Sequence, residues 1–214
     1  MMGIKLKKGQ RVTMGLNKLG VGLGWDPNTS SGEDFDLDVS AFLIGSNGKC
    51  GKQSDFVFYQ SELRTEPFSS KFASDDDWKA KTRPMSSDGA VLGSFDDTSG
   101  NESDGGDDET INIDLQKVSS DTQEIIIVVT IYDAESRGQN FGQVRNSYIR
   151  IYDENTGREE LQYDLDEDYS TETSIEVARL YRRGSEWKFD AMGMSYNEEI
   201  DHFFYKYCDP SWLA

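Results

Sequence analysis

The sequence has few of the side chains on which most metal and catalytic chemistry depends. It contains one histidine, His202, and two cysteines, Cys50 and Cys208, far apart in the chain. Zinc sites need clustered nitrogen and sulfur ligands, and a disulfide framework needs more than two cysteines. The chain also lacks a nucleophile elbow and a phosphate-binding Gly-Lys-Ser/Thr loop. We therefore expect no enzymatic activity, with a hydrolase that uses an acidic pair as the weakest alternative.

Basic residues and long apolar stretches are also scarce. Lys and Arg total 22 against 40 Asp and Glu, which gives a net charge of −18. Such a chain repels nucleic acid and anionic membrane surfaces. Its longest apolar run, 125–131, has the length of a buried strand, and its N-terminus has no apolar signal region. We predict a cytoplasmic protein that neither binds nucleic acid nor inserts into a membrane. Its charge serves either solubility or the binding of multivalent cations.

Several short stretches alternate apolar and polar residues with a period of two. This pattern is typical of half-buried strands, and turn sequences rich in Asn and Gly separate the stretches. They lie at 35–41, 111–115, 161–165 and 187–191. Many short strands joined by turns indicate a sandwich. The sequence therefore predicts an all-β protein with a single domain over 1–214.

Two segments depart from the strand pattern. Apolar residues recur at helical spacing near the C-terminus, which predicts an amphipathic helix over 195–209 that packs on the sandwich or binds a partner. Pro210 ends this helix. The segment 61–94 contains two prolines and many serines. We interpret it as a long, extended surface loop.

Three aspartates alternate with apolar residues at Asp34, Asp36 and Asp38. On a strand their carboxylates point to one face, about 7 Å apart, and adjacent pairs repel by roughly 0.6–2 kcal/mol. A hard divalent cation such as Ca²⁺ removes this repulsion because it takes several carboxylate and carbonyl oxygens. A solvent-exposed acidic face, or pairing with basic side chains of a neighbouring strand, would also explain the pattern.

A second acidic stretch, 96–109, contains no basic residue and is interrupted by glycines. Glycine lets the backbone turn tightly enough for carbonyls and carboxylates to converge on a cation. A disordered acidic linker is the alternative. Neither stretch is an EF-hand, because the sixth and twelfth positions counted from Asp34 are Val39 and Gly45. A cation site would therefore require the fold to bring the two stretches together.

A series of motifs in the same order resembles the TerD family and covers most of residues 3–209. They are GLGWD at 22–26, DFDLDVSAF at 34–42, DFVFY at 55–59, GDDETI at 106–111, VTIYDAE at 129–135, QNFGQV at 139–144, YDL at 163–165, STET at 170–173 and GSEWKF at 184–189.

The resemblance to TerD implies a two-sheet β-sandwich that binds about two Ca²⁺ ions through acidic loops. It also implies a role in tellurite resistance and stress response, through protein partners in a Ca²⁺-responsive complex near the inner membrane, and it associates no catalytic residues with the domain. An alternative is an interaction scaffold whose ion is structural or absent, and which binds partners through 61–94 and the C-terminal helix. The implied ligands are Asp34, Asp36, Asp38, Asp107, Asp108 and Glu109, with Asp26 and Asp104 as further candidates.

Overall fold

The computed structural model describes residues 9–13, 17–29, 31–100 and 106–213. Within these ranges eleven strands form two antiparallel sheets. The strands are β1 (Arg11–Thr13), β2 (Lys18–Gly24), β3 (Leu37–Gly45), β4 (Phe56–Val57), β5 (Val91–Gly93), β6 (Glu109–Asp114), β7 (Thr122–Ile131), β8 (Tyr148–Asp153), β9 (Glu159–Asp164), β10 (Ser174–Arg183) and β11 (Glu186–Tyr196). The helices are α1 (Asp75–Lys81), α2 (Ala134–Arg137), α3 (Leu165–Asp168) and α4 (Ile200–Tyr207).

The two sheets form the predicted sandwich. The first sheet has the strand order β1-β11-β10-β7-β3-β4, and the second has the order β5-β6-β2-β8-β9. Strands that follow one another along the chain often lie in different sheets, so β2 and β3 belong to opposite layers. The acidic stretches that precede β3 and β6 are therefore carried by different sheets.

The core lies between the two sheets, where the apolar residues of each strand alternate inward. Leu19, Val21 and Leu23 of β2 face this core, as do Ile125 and Ile127 of β7, and all five are fully buried. The period-two pattern predicted this arrangement because successive side chains on a strand point to opposite faces of a sheet. The all-β sandwich prediction is thus confirmed.

A second apolar cluster explains why the run at 125–131 does not alternate. Ile126 and Val128 point away from the main core, toward Phe42 of β3 and toward Phe203 and Phe204 of α4. Helix α4 covers this outer face of the first sheet, so β7 is buried on both sides. A strand buried on both faces is apolar throughout.

The C-terminal helix is shorter than predicted. It begins at Ile200 and ends at Tyr207, whereas the sequence predicted a helix over 195–209. Tyr196 is the last residue of β11 and pairs with Ser174 of β10, so its place in the helical pattern is accidental. No helix in the described ranges has the length and apolarity needed to cross a bilayer.

The segment 61–94 lies largely at the surface, but it is not an extended loop throughout. The segment contains α1, which is capped by Ser74, and β5, which pairs with β6. Arg64 is 4% exposed, and its guanidinium donates to the backbone carbonyls of Tyr59, Lys79 and Thr82. The segment is thus anchored by this buried guanidinium together with the buried side chains of Trp78 and Val91. The composition of the segment alone could not indicate the role of the arginine.

Candidate metal centre

Three carboxylates that are far apart in sequence converge at one edge of the sandwich. Asp38 lies in β3 of the first sheet, Glu109 is the first residue of β6 in the second sheet, and Asp96 follows β5. One oxygen from each side chain lies within 4.8 Å of the others. The group therefore spans both layers of the fold at a single point.

The three side chains differ in their exposure to solvent. Asp38 and Glu109 are each 5% exposed, whereas Asp96 lies exposed at the rim. A buried ionised carboxylate is costly unless it is paired, hydrogen-bonded or bound to a metal. The main-chain N–H of Val39 donates to Oε2 of Glu109 at 2.9 Å. This hydrogen bond orients the Glu109 carboxylate but does not neutralise its charge.

Burial and mutual repulsion shift the acidity of this group. Burial raises the pKa of Asp38 well above its usual range, and the charges of Asp36 and Asp96 raise it further. Burial, followed by the charge of Asp38, likewise raises the pKa of Glu109. The pKa of Asp36 is raised to about 6, mainly by burial and then by Asp96. Each carboxylate thus makes ionisation of its neighbours harder.

The cluster carries negative charge without a local basic partner. In the part of the chain that the structure describes, Asp38, Asp96 and Glu109 take part in none of the ion pairs within 4.0 Å. Burial raises the pKa of both Asp96 and Asp38, and the more distant charges of Arg64 and Arg137 offset this rise only in part. A bound cation would therefore balance the negative charge of these carboxylates without displacing an ion-pair partner among the described residues.

The chemistry of the donors fits a hard cation. The converging atoms are all carboxylate oxygens, which Ca²⁺ accepts in mono- or bidentate form at flexible geometry. Zinc would need nitrogen or sulfur, and both cysteines lie in the separate cluster under α4. Asp38, Asp96 and Glu109 are thus the residues that would hold a Ca²⁺ ion, with Asp36 close enough to affect its charge balance.

A cavity of 210 Å³ lies beside Asp38. Its lining includes Tyr59, Tyr132 and the acidic residues Glu199 and Asp201. The rings of Tyr59 and Tyr132 meet edge to face with their centres 6.1 Å apart, and Tyr132 is 41% exposed. Of the three cluster residues, only Asp38 lines this cavity, so the cavity opens on the Asp38 side of the group.

Comparison with known proteins agrees with the motifs. The model of the TerD domain matches residues 2–207. The chain belongs to the TerD family. It is 42% identical to General stress protein 16U of Bacillus subtilis over 201 residues, and 42% identical to Tellurium resistance protein TerD of Serratia marcescens over 200 residues. Each alignment covers 91% of this chain and 92% of the relative.

A solved structure supports the fold of this TerD chain. A homologue of the telluride resistance protein TerD from Streptomyces coelicolor superposes with a TM-score of 0.66 at 20% identity. The superposition covers 88% of this chain and 95% of the other. At this identity the likeness shows a shared sandwich and nothing about the ligands of an ion.

Asp107, a ligand implied by the TerD resemblance, does not join the cluster. Its two carboxylate oxygens accept hydrogen bonds from Nε and Nη2 of Arg150 at 2.8 and 2.9 Å, and the hydroxyl of Tyr148 donates to it at 3.0 Å. The carboxylate lies over Gly22, where an added Cβ would be 2.1 Å from Oδ2. The structure gives Asp107 a basic partner, Arg150.

The other implied ligands outside the cluster also have partners or lie apart. The carboxylate of Asp108 accepts the main-chain N–H of Trp25 at 2.8 Å, and that of Asp26 accepts from Asn146 at 2.6 Å. Asp34 is exposed, and its backbone carbonyl accepts from Gln139 at 3.3 Å. Asp104 lies outside the described residues. Of the seven implied positions that the structure describes, the fold brings only Asp38 and Glu109 into the converging group, with Asp36 beside it.

Sequence reasoning missed Asp96. It belongs to the acidic stretch 96–109, but the family motif begins only at Gly106, so the resemblance gave it no role. Asp96 closely follows β5, and β5 pairs with β6, whose first residue is Glu109. A prediction of this strand pairing is the signal that could have identified Asp96.

Proposed function

We propose that this TerD chain is a non-catalytic, Ca²⁺-binding stress-response module whose ion joins its two sheets. The observation that carries the proposal is the convergence of Asp38, Asp96 and Glu109 from both layers of the sandwich. Support also comes from the names of the relatives, which refer to general stress and tellurium resistance. A link of this chain to tellurite resistance is part of the proposal.

The proposed ion acts by relieving repulsion that the fold itself creates. Without a cation, folding places Asp38 and Glu109 in a nearly water-free environment close to a third carboxylate. A divalent cation converts this repulsion into shared coordination, and it binds the folded chain better than the unfolded one. Ca²⁺ therefore stabilises the native state and fixes the segment around Asp96 against β3 and β6.

The ion would also change how this edge of the molecule interacts with partners. A net charge of −18 keeps acidic surfaces apart, and a bound divalent cation reduces the negative charge at one place. We infer that protein partners, including membrane-associated ones, recognise the filled site in the cytoplasm. A second ion is expected from the family resemblance, and its ligands are not identified by the geometry.

Calorimetry on chelator-treated protein tests the cation site. We expect Ca²⁺ to bind with roughly micromolar affinity and in preference to Mg²⁺, because three converging carboxylates resemble sensor sites and Mg²⁺ dehydrates reluctantly. Asp96→Asn should weaken Ca²⁺ binding by roughly tenfold or more. Asp166→Asn, on α3, removes the same charge away from the cluster and serves as the matched control. Equal loss in both variants, or no binding at all, would reject the site.

An interaction scaffold is the second candidate, and exposed aromatic residues in 61–94 favour it. Phe68 is 54% exposed and packs edge to face against Trp78. The segment includes β5, which precedes Asp96, so deletion of the whole segment would disturb the cation site as well as partner binding. Phe68→Ser is therefore the more specific variant. If partner binding survives chelation and Asp96→Asn but is lost in Phe68→Ser, the scaffold is the better account.

A further inference from the structure

The two cysteines of the chain meet beneath the C-terminal helix. Cys50 lies in the connection between β3 and β4, and Cys208 follows the last residue of α4. Their exposures are 4% and 0%, and both belong to the apolar cluster on the outer face of the first sheet. The main-chain N–H of Cys50 donates to the carbonyl of Tyr207 at 2.7 Å. This hydrogen bond thus joins the backbone of Cys50 to the residue that immediately precedes Cys208.

The two side chains lie near each other beneath the helix. The proximity of Cys208, together with burial, raises the pKa of the Cys50 thiol, which donates to the carbonyl of Asp55 at 3.7 Å. A disulfide needs Cα atoms about 4.4–6.8 Å apart and Cβ atoms that face each other. The hydrogen bond from Cys50 to Tyr207 places the two backbones side by side, which is the arrangement that a disulfide requires. An isolated buried cysteine acts only as a small apolar residue, but two cysteines that face each other can be oxidised to a disulfide by thiol–disulfide exchange.

Non-covalent contacts hold the same end of α4. Lys49, next to Cys50, donates from Nζ to the carbonyls of Tyr205 and Lys206 at 2.9 and 2.8 Å. These carbonyls belong to the last turn of the helix, where a positive charge is favourable. Lys49 and Cys50 together form the attachment point of α4 to the sandwich, and a covalent bond there would make the attachment permanent.

We propose that Cys50 and Cys208 form a reversible disulfide that locks α4 onto the first sheet when the protein meets a small-molecule disulfide. One protein thiolate attacks a sulfur of the small disulfide, which gives a mixed disulfide and releases one thiolate. The second protein thiolate then attacks the protein sulfur of the mixed disulfide and releases the second thiolate. Two protein thiols are oxidised, the small disulfide is reduced to two thiols, and the two protons pass to the released thiolates.

Burial determines when this reaction occurs. A thiol must be ionised and reachable to attack, and neither condition holds while α4 covers the pair. Exchange therefore proceeds through molecules in which the end of α4 has separated from the sheet. We expect Lys49→Ala, which removes two hydrogen bonds to the helix end, to accelerate cross-linking several-fold. Lys117→Ala, on a turn between β6 and β7, is the matched control and should leave the rate unchanged.

Equilibration of the full-length reduced protein with mixtures of oxidised and reduced glutathione tests the proposal. We expect a product that has lost two hydrogen atoms, carries no glutathione and melts at a higher temperature, because a cross-link that closes a long loop restricts the unfolded chain. Dithiothreitol should reverse both changes. Cys50→Ala and Cys208→Ala should each prevent the cross-link and leave one site for a glutathione adduct.

Two results would overturn the proposal, and neither depends on the cation site. The first is that wild-type protein and Lys49→Ala both remain reduced, or carry two glutathione molecules, in the most oxidising mixture. The second concerns protein that is oxidised while unfolded and then refolded. If this cross-linked form melts below the reduced form, the native geometry does not accommodate the bond. Calcium binding can be measured in the same samples. A failure of the disulfide proposal is therefore distinguished from a failure of the proposed cation site.

Discussion

Asp107 binds Arg150 through both of its carboxylate oxygens, at 2.8 and 2.9 Å. The pair lies on the outer face of the second sheet, where Gly22 of β2 sits between Thr110 of β6 and Arg150 of β8. A side chain at position 22 would displace the carboxylate. Gly22 of the GLGWD motif is therefore required by the packing of this ion pair.

This pair predicts that Asp107→Asn affects stability and leaves cation binding intact. The Asp107 side chain is 7% exposed and that of Arg150 is 33% exposed, so the pair is partly shielded from water. Loss of one partner should lower the free energy of unfolding by roughly 1–3 kcal/mol. Urea denaturation in a chelator measures this loss, and calorimetry measures Ca²⁺ affinity. A tenfold loss of Ca²⁺ affinity in the folded variant would return Asp107 to the list of ligands.

Asp38→Asn should have opposite effects on stability in the absence and presence of Ca²⁺. Because burial and neighbouring carboxylates raise the pKa of Asp38, its ionised form destabilises the ion-free fold. The neutral amide has nearly the same shape and removes this repulsion, so the variant should melt higher than wild type in a chelator. It should gain little or nothing from Ca²⁺, which stabilises wild type by mass action. A variant that melts lower in the chelator and still responds fully to Ca²⁺ would contradict the proposed site.

Much of the fold could be predicted from the sequence, because period-two alternation and turn residues are local signals. The candidate site could be predicted only in part. Asp38 and Glu109 lie beside strong strand patterns, and their motifs were recognisable. Arg150, by contrast, lies two strands from Asp107 in the second sheet, and no local pattern indicates that they pair. Asp96 joins the cluster only because β5 adds to the edge of β6, which is a property of the sheet order.

The stability of the ion-free protein should fall as pH rises between about 4 and 6. The pKa of Asp36 is raised from 3.8 to about 6 in the folded chain. Below this window both states are protonated and the shift has no effect on stability. As pH rises through it, the unfolded chain releases its proton first, so stability is progressively lost until the folded carboxyl also ionises. Melting temperatures measured in a chelator across this range should show the decline.

Calcium and a neutral variant serve as controls for this pH dependence. The increase in melting temperature that Ca²⁺ causes should be larger at about pH 7 than at about pH 5, because protons and the cation compete for the same carboxylates. Asp36→Asn should make the decline in the chelator less steep, since it removes one of the titrating groups, while Asp38 and Glu109, whose pKa values are also raised, still contribute. A decline of equal slope in wild type and Asp36→Asn would assign the effect to other residues.

Helix α4 depends on a buried charge, and this leads to a prediction for Lys206. Glu176 of β10 has a side chain that is 1% exposed, and it accepts hydrogen bonds from Lys206, Tyr196 and Tyr207 at 2.5, 3.0 and 2.6 Å. Lys206 supplies the only positive charge among these three donors. Lys206→Met retains most of the aliphatic stem but leaves a buried carboxylate without a cation, which should cost roughly 1–3 kcal/mol of stability.

The double variant separates loss of the charge pair from loss of packing. Glu176→Gln removes the buried charge, so Lys206→Met should cost less in the Glu176→Gln background than in wild type, by an interaction energy of roughly 1 kcal/mol or more. Urea denaturation of the four proteins gives this energy, and hydrogen exchange at 200–207 reports whether α4 itself loosens. Additive costs would mean that contacts of Lys206 other than the ion pair hold the helix, such as those of its Nζ over the rings of Tyr196 and Tyr207. A strong coupling with faster exchange in α4 would show that the buried carboxylate fixes the helix, and through it the cover over both cysteines.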